Sequence, residues 1–486
     1  MPALEQLVRD YTEPIKDPVW NNILLSPALL KVVALPAFQK LNGIRQLGPT
    51  YLVYPGATHT RLSHSLGVFH LARRLTLHLL SPAMLRLVAL PAFQKLNGIR
   101  QLGPTYLVYP GATHTRLSHS LGVFHLARRL ALNLLSRERG PGGMPGAAGE
   151  PEAVRAFLCA ALLHDLGHYP FAHSLKDLEV ASHESLTAER VLDPQIAGVL
   201  RREVGADPEM VAAIVDAGRE GPGGEALSFY RRLLSGVLDP DKLDYLNRDA
   251  YFCGVPHGVQ DVDFALAELR ALPGGLGVTR KGLTAVESIL FSKYLMYRSV
   301  YWHKTVRIAT AMIKKAVLLA LEAGELRPAE LYGLDDQEFF ALAANRERFA
   351  PLQLAGRVAR RRLFKQVASR PFDPNDPAVA RLDGLRARLA AEEAIARAAS
   401  RELGRTVPAH HVIVDVPEPI SFEIDLPVLD FGESRPFADS DSVFTESTVQ
   451  GFGRSLRRVS LIAEADEELT AAIVRLGGAR LLESAT

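Results

Sequence analysis

An apolar run that ends in adjacent histidine and aspartate side chains places the strongest constraint on this chain. The run Ala160–Leu163 has helical composition, and His164 and Asp165 follow it directly. Neighbouring side chains on a helix diverge, so these two can meet only by converging on one object. A metal ion is the obvious candidate, because imidazole and carboxylate together suit Zn, Fe, Mn or Ni. His168 lies four positions after His164, on the same face. The alternative interpretation is a helix end with incidental polar residues.

Three further polar motifs occur along the chain in a fixed order. They read HTRLSHSLG at 114–122, His-Glu at 183–184 and DPDKLDYLNRDAY at 239–251, while the central motif extends as HDLGHYPFAH over 164–173. In the last motif Asp239 and Pro240 form a helix start, because aspartate caps and proline suits the first turn. Asp241, Tyr245 and Asp249 then recur at every fourth position and share one helix face. Asp244 and Arg248 are interpreted as a surface salt bridge.

These motifs together resemble the HD-domain phosphohydrolases, and among them the dNTP triphosphohydrolases related to the SAM-and-HD-domain protein and to bacterial dGTPase-like enzymes. The resemblance runs from about Lys16 to about Lys304. It implies a mainly α fold with an HD-domain helical core. It also implies metal-dependent hydrolysis of a deoxynucleoside triphosphate to a deoxynucleoside and intact triphosphate. The products follow because water attacks the α-phosphorus in this family.

The resemblance assigns residues in three groups. The implied metal ligands are His119, His164, Asp165 and Asp241. The implied substrate-binding residues are Gln101, Leu102, Arg116, Lys242, Tyr245, Asp249 and Tyr301. The implied phosphate-binding and general-acid residues are His168, His173 and His183. A histidine that titrates near neutrality suits protonation of the leaving 5′-oxygen, and we expect His173, in or just after a loop, to do this.

The implied cofactor is a divalent metal ion, namely Fe, Mn, Zn or Ni in the HD site, with Mg as a further candidate on the substrate phosphates. The family implies a dNTP as the substrate. Lys281 matches an effector-phosphate lysine of the family, which implies that an allosteric nucleotide could also bind. The family also implies a homo-oligomer, either a dimer or a tetramer.

A 55-residue unit occurs twice in tandem. Residues 24–78 (copy one) recur as 79–133 (copy two), and the stretch 34–75 is identical to 89–130. The chain therefore offers two candidates for the upstream metal ligand, His64 and His119. We expect His119 to complete the site, because copy two runs directly into the HD helix. Copy one could pack beside the core, exchange between subunits or be poorly ordered, and the duplication could abolish activity.

Composition excludes several classes of protein. The 56 basic and 54 acidic residues nearly balance, so no overall field favours nucleic acid or an anionic membrane. Two cysteines without a CxxC motif argue for a reducing compartment and against a disulfide scaffold. No signal-peptide region and no apolar run long enough to span a bilayer are seen. We therefore expect a cytoplasmic protein without membrane or nucleic-acid partners.

The spacing of apolar residues and the positions of helix-breaking glycines and prolines divide the chain into four parts. We predict the N-terminal part of the HD domain at 1–136, a Gly/Pro-rich linker at 137–152, the catalytic core at 153–325 and a smaller α+β region at 326–486. Within these, we predict a helix over 115–135, a short strand at 106–109 and another at 410–416.

Two other functions stay open at this stage. The chain could be an HD phosphohydrolase that acts on a nucleoside monophosphate or an alarmone. It could also be a catalytically dead nucleotide sensor or oligomeric scaffold, for which the duplication gives some support.

Overall fold

The computed structural model describes residues 13–18, 21–54, 56–69, 82–135, 146–272, 275–420, 422, 426–430 and 433–477. The chain divides into two compact units, Met1–Leu90 and Pro91–Thr486. The predicted linker lies largely outside the described residues, and the four-part division stays a prediction. Within the described ranges, no helix combines the length and apolar character needed to cross a bilayer.

The first unit is a hairpin followed by short helices. Its elements are β1 (Glu13–Asp17), β2 (Asn21–Leu25), α1 (Pro27–Val33), α2 (Pro36–Gln39) and α3 (Pro82–Ala89), and residues 61–69 are also helical. The two strands pair antiparallel, with Ile15 opposite Ile23. Ser26 caps α1 by accepting a hydrogen bond from the Leu29 amide. A small apolar cluster centred on Ile23, Leu25 and Leu66 holds the hairpin to the helical part.

Helices dominate the part of the second unit that carries the four motifs. They are α4 (Pro91–Gln94), α5 (Arg116–Leu135), α6 (Pro151–Leu163), α7 (Ala172–Leu175), α8 (His183–Val191), α9 (Pro194–Val199), α10 (Pro208–Val215), α11 (Gly224–Leu234), α12 (Pro240–Cys253), α13 (Val262–Glu268), α14 (Leu283–Met296) and α15 (Lys304–Glu322). The helix predicted over 115–135 is confirmed by α5. The strand predicted at 106–109 is wrong, because residues 103–107 form a 3₁₀ turn. Gly103, with φ of +48°, and Pro104 favour this turn over a strand.

The chain itself encodes where the site-bearing helices begin and end. Asp239 caps α12 by accepting a hydrogen bond from the Lys242 amide, and Gly254 ends the helix in the left-handed region. Pro151 occupies the first turn of α6, and the helix ends at Leu163 so that His164 is its C-cap. The HD pair therefore lies in the turn that leaves a buried helix.

The remaining part mixes helices with small sheets. The helices are α16 (Asp336–Asn345), α17 (Gln353–Ala359), α18 (Pro377–Ala380), α19 (Leu385–Leu403), α20 (Glu446–Leu456) and α21 (Glu467–Arg475); the strands are β3 (Leu269–Leu272), β4 (Gly275–Thr279), β5 (Lys365–Pro371), β6 (Val412–Asp415), β7 (Val428–Asp430), β8 (Glu433–Arg435) and β9 (Arg458–Ala463). One sheet has the order β3-β4-β7-β8 and another has the order β5-β9-β6. The prediction of a mainly α chain with a smaller α+β region is confirmed. The strand predicted at 410–416 is confirmed over Val412–Asp415, whereas Ala409–His411 form a 3₁₀ turn.

The two copies adopt the same local structure in different surroundings. Each contains one isolated bridge, Arg45 to Thr60 in copy one and Arg100 to Thr115 in copy two. Burial differs strongly: Leu52 is 72% exposed, whereas its counterpart Leu107 is 5% exposed. Tertiary contacts therefore decide the burial of a sequence that is identical in both places.

Candidate active site

One cavity of about 440 Å³ in the second unit gathers most of the predicted site residues. All four implied metal ligands line it, together with two of the three implied catalytic histidines and six of the seven implied substrate-binding residues; His168 and Lys242 are the exceptions. The helices α5, α12 and α15, with the turn after α6, form its walls. Predicted site residues separated by up to 200 positions in sequence, from Gln101 to Tyr301, therefore face one space.

The implied metal ligands converge at one end of the cavity. His119 Nε2 lies 2.9 Å from Asp241 Oδ1, and His164 Nε2 lies 4.0 Å from the same oxygen. The ligand atoms of these three residues all lie within 4.8 Å of one another. Asp165 lies beside them, with its Oδ1 3.5 Å from His164 Nε2. His119 of copy two occupies this position, while His64 of copy one is exposed in the first unit.

These donors fit a divalent metal ion. The Nε2 atom of His164 is buried and has no hydrogen-bond partner among the residues that the structure describes. A buried polar atom without a partner is costly unless something binds it. Its Nδ1 is held by the Ala161 carbonyl oxygen at 3.0 Å, which leaves the Nε2 lone pair directed at the acidic residues. Two imidazoles and two carboxylates suit Fe, Mn, Zn or Ni chemistry.

Asp244 orients His119 rather than forming a surface salt bridge. Its Oδ2 lies 2.8 Å from His119 Nδ1, and its side chain is 8% exposed. Arg248 donates to both oxygens of the same carboxylate. The interpretation of Asp244 and Arg248 as a surface pair is thus wrong, because helix spacing alone could not reveal the buried partner on α5. A carboxylate behind a ligating histidine fixes its tautomer and raises its basicity.

The charges around His119 outweigh its burial. Burial alone would lower the pKa of His119, but hydrogen bonds and charges from Asp241 and Asp244 raise it to about 10. For Asp241, burial would raise the pKa, yet His119 and His164 hold it below its usual value. The cluster therefore combines two imidazoles with anionic carboxylates, a set of groups that a bound cation can stabilise.

Gly122 permits the close approach of Asp244. A Cβ at this position would lie 1.9 Å from Asp244 Oδ1 and 2.3 Å from Arg248 Nη2. The Gly122 position on α5 thus leaves room for the carboxylate that positions His119, one turn away on the same helix.

Three histidines form a second cluster next to the metal ligands. The Nε2 atoms of His168 and His173 are 3.3 Å apart, and the ring centroids of His168 and His183 are 3.9 Å apart. His173 lies in the single-turn helix α7, not in a loop. His168 lies behind the cavity wall and contacts Asp165 Oδ1 at 3.0 Å through Nδ1. It can therefore act on bound substrate only through its neighbours.

Burial makes these histidines poor bases in this structure. It lowers the pKa of His168 and His173 well below the usual value, and the positive charge of Arg116 adds to this effect. Burial lowers the pKa of His183 as well. Burial and neighbouring positive charge therefore both lower the pKa of His173 and favour its neutral ring, and its role as the general acid stays a prediction.

Thr187 ties the second cluster to the HD turn. Its Oγ1 donates to the His164 carbonyl oxygen at 3.0 Å and accepts from the Gly167 amide at 2.8 Å. A Cβ on Gly167 would lie 2.3 Å from the Thr187 nitrogen and 2.4 Å from the His183 oxygen. Glycine at 167 therefore allows α8 to pack directly on the turn and brings His183 beside His168.

Arg116 and Asp165 form a buried ion pair between the two clusters. The Nη1 atom of Arg116 lies 2.8 Å from Asp165 Oδ2. Burial would raise the pKa of Asp165, but His168, Arg116 and His164 together hold it well below its usual value. The Nε atom of Arg116 is buried and finds no hydrogen-bond acceptor within the described part of the chain, so this guanidinium retains a donor beside the ligands.

The aromatic end of the cavity is organised by Asp249. Its Oδ1 lies 2.7 Å from His114 Nε2, and its Oδ2 accepts from the Tyr301 hydroxyl at 2.7 Å. The rings of Tyr245 and Tyr301 are edge to face, with centroids 6.3 Å apart. Burial raises the pKa of both tyrosines well above the usual value, so their hydroxyls are neutral hydrogen-bonding groups.

The other implied substrate-binding residues differ in placement. Gln101 and Leu102 line the cavity, and the buried Oε1 atom of Gln101 has no hydrogen-bond donor from any described residue. Lys242 does not line it: its ammonium contacts the Gly236 carbonyl oxygen and Asp239 Oδ2, each at 2.7 Å. A phosphate-binding role for Lys242 therefore requires another side-chain rotamer.

Sequence reasoning missed one group of cavity residues. The missed group is Arg307, Thr310 and Lys314 of α15, with Asp415 and residues 416 and 418–420 of the C-terminal part. Arg307, Thr310 and Lys314 share one helix face, which the i, i+3, i+7 spacing could have indicated. No motif marks Asp415, which reaches the cavity from the end of β6.

Comparison with known proteins agrees with this geometry. Residues 116–246 match the family model described as the HD domain, and residues 261–446 match the HD associated region. An uncharacterized protein of Methanocaldococcus jannaschii is 31% identical over 59% of this chain and 56% of its own length. The deoxynucleoside triphosphate triphosphohydrolase SAMHD1 of Danio rerio is 28% identical over 50% of this chain and 43% of its own.

A solved structure supports the fold over a longer range. A hypothetical protein from Aquifex aeolicus superposes with a TM-score of 0.60 at 26% identity, covering 81% of this chain and 96% of that one. The chain spans about half the length of the curated relatives it matches. With the two matching family models and the converging His and Asp ligands, these likenesses place the chain in the HD-domain phosphohydrolase family.

Proposed function

We propose that this protein is a metal-dependent hydrolase that converts deoxynucleoside triphosphates to deoxynucleosides and triphosphate. One observation carries the proposal: the ligand cluster of His119, His164 and Asp241 opens into the same cavity as the second histidine cluster and the Asp249 end. Similarity to proteins named deoxynucleoside triphosphate triphosphohydrolases gives further support.

The cavity offers separate places for phosphate and sugar. Arg116, His173 and His183 supply hydrogen-bond donors next to the metal ligands, where the phosphates would bind. Asp249 and Tyr245 would hold the sugar, because they face the cavity beyond Asp241 along α12. The ring of Tyr245 close to the sugar would exclude a 2′-hydroxyl, which favours deoxynucleotides.

The reaction breaks the bond between the α-phosphorus and the 5′-oxygen. Water adds its oxygen to the phosphorus, the 5′-oxygen leaves with the bond electrons, and a proton must reach that oxygen. A divalent metal held by His119, His164, Asp165 and Asp241 would lower the pKa of bound water and polarise the phosphate. We assign the proton to the cluster of His168, His173 and His183, with His173 as the donor. A polyanionic substrate beside it would raise its pKa and favour the protonated ring.

Product analysis with labelled water tests this proposal. Metal-loaded protein is incubated with each dNTP in H₂¹⁸O, and the products are separated by ion-exchange chromatography and mass spectrometry. We expect unlabelled deoxynucleoside and triphosphate that carries one ¹⁸O atom. Release of pyrophosphate or of orthophosphate would contradict the proposal, and so would a complete lack of dNTP cleavage. Parallel reactions with a nucleoside monophosphate and an alarmone identify the other HD activities.

The tandem duplication provides a matched control. His119→Ala should abolish hydrolysis and reduce bound metal, because it removes a ligand. His64→Ala makes the same change in an identical local sequence and should leave the rate of hydrolysis and the amount of bound metal at the wild-type level. His164→Ala and Asp165→Ala should behave like His119→Ala. Equal behaviour of the two histidine variants would refute the assignment of copy two to the site.

The metal, the location and the assembly belong to the same proposal. We propose Fe, Mn, Zn or Ni in the HD site and Mg on the phosphates, a cytoplasmic location, and a homo-oligomer that an effector nucleotide at Lys281 regulates. Elemental analysis of purified protein and light scattering with and without nucleotides measure the metal and the assembly.

A further inference from the structure

The cavity continues well beyond the predicted site residues. One face of α15 forms a wall through Arg307, Thr310 and Lys314, and the segment that follows β6 faces it. Arg307 and Lys314 are seven residues apart, so this wall extends for roughly 10 Å along the helix axis. Apolar side chains complete this part, among them Val416 and Ile420. Apolar walls with a few fixed polar groups are typical of a site for a flat organic ring.

Arg307 is a polar group of this part that is held by two hydrogen bonds. Its Nε donates to Asp415 Oδ2 at 2.9 Å, and its Nη2 donates to Asp415 Oδ1 at 2.5 Å. Asp415 is buried at the end of β6, with only 6% of its side chain exposed. This two-point pairing fixes the plane of the guanidinium. Its Nη1 edge has no acceptor among the described residues, and Arg307 lines the cavity.

The direction of the substrate follows from the order of residues along the chain. Tyr301 bonds Asp249 at the sugar end, and Arg307 comes six residues later, one turn into α15. A nucleotide with its α-phosphate at the metal ligands and its sugar at Tyr301 would therefore extend its base along α15, toward Arg307. This step rests on the proposed function.

We propose that Arg307, positioned by Asp415, selects the nucleobase and favours guanine over adenine. The free guanidinium edge contains only donors. Guanine presents two adjacent acceptors, O6 and N7, which match a guanidinium, whereas adenine presents the N6 amino donor in place of O6. The purines are alike in size, so apolar packing against Val416 and Ile420 would not separate them.

The pairing with Asp415 favours a base over a phosphate at this position. The carboxylate compensates the charge of Arg307 and would repel a bound phosphate. Two other cations that line the same region are also paired, Lys176 with Glu418 at 2.5 Å and Lys314 with Asp177 at 2.5 Å. A neutral acceptor such as a carbonyl oxygen fits this environment.

A competition experiment tests the proposal. Equimolar dGTP and dATP are supplied together to metal-loaded protein, and the relative rates of release of the two deoxynucleosides give the ratio of kcat/KM. This ratio does not depend on enzyme concentration or on metal loading. We expect wild-type protein to favour dGTP by about 10-fold or more, the range of one well-placed two-point contact. Arg307→Ala should bring the ratio close to one, chiefly through a lower kcat/KM for dGTP.

Two further variants separate base selection from a general loss of structure. Arg307→Lys keeps the charge but loses the planar fork, so it should also lose the preference. Asp415→Asn loosens the guanidinium and should give an intermediate ratio. A wild-type ratio below three, or an unchanged ratio in Arg307→Ala, would overturn the proposal.

A binding measurement tests the role of Arg307 even if the protein does not hydrolyse dNTPs. If wild-type protein cleaves no dNTP, equilibrium dialysis with dGTP and dATP measures binding directly. Tighter binding of dGTP that is lost in Arg307→Ala would still support base selection by Arg307. Equal binding of the two nucleotides, or no binding of either, would refute it.

Discussion

A single methyl group at Gly111 tests whether the position of α12 controls the site. A Cβ on Gly111 would lie 2.4 Å from the carbonyl oxygen of Phe252, and ordinary contact begins at 3.4 Å. Gly111→Ala therefore demands a displacement of about 1 Å near the end of the helix that carries Asp241 and Asp249. Such a shift can lower catalysis by about 100-fold, and overpacking of this kind costs about 1–3 kcal/mol of stability.

The counterpart Gly56 in copy one is the control. It has the same neighbours in sequence, but no atom of the described residues lies within 4 Å of its Cβ position, and neither glycine is left-handed. Gly56→Ala should be neutral or stabilise the protein by about 0.4–1 kcal/mol through the unfolded chain. The assays are kcat/KM for dNTP cleavage and the thermal unfolding midpoint. Values of kcat/KM within threefold of each other and equal midpoints in the two variants would refute the reasoning.

Three other perturbations address the layers around the metal ligands. Asp244→Asn should weaken metal affinity about 10- to 100-fold by loosening His119; titration of apo-protein with metal measures this, and an unchanged affinity would contradict it. Gly167→Ala should push α8 away from the HD turn and displace His183. A loss of hydrolysis together with a lowered unfolding midpoint would report this displacement. Wild-type hydrolysis with a wild-type midpoint would contradict it and show that the backbone can adjust. Removal of metal by a chelator should lower the unfolding midpoint, and added metal at 100 times its Kd should restore about 2.7 kcal/mol; a midpoint independent of metal would count against a folded-state site.

The residues that could be predicted from sequence are those with local signatures. The helix start at Asp239 and Pro240 and the spacing of Asp241, Tyr245 and Asp249 are local, and the structure has them on one helix that faces the cavity. Helix periodicity also gave the direction of His119. These features depend on neighbours within one or two turns, which the chain displays directly.

The residues that could not be predicted depend on contacts between distant elements. Asp244 orients His119 across 125 positions, and Arg307 pairs with Asp415 across 108. Spacing within one helix suggested only the local Arg248 partner for Asp244. Asp415 lies in a strand whose four residues are all buried. The sequence of this strand therefore predicts a core element and does not indicate a site residue. Such pairs emerge only when tertiary packing is known.

The duplication shows the same limit most clearly, because the two copies are identical over 42 residues and yet differ in burial. Ile44 is 46% exposed and its counterpart Ile99 is 3% exposed.

Chain connectivity favours copy two for the HD core. About 10 residues join the end of α5 to the next described element at Gly146, whereas about 65 would join the equivalent point of copy one. Loop closure over the longer distance costs roughly 1.7 kcal/mol more. An identical sequence would thus occupy the core about 17-fold less often from the first position, which favours His119 over His64 as the partner of His164 and Asp241.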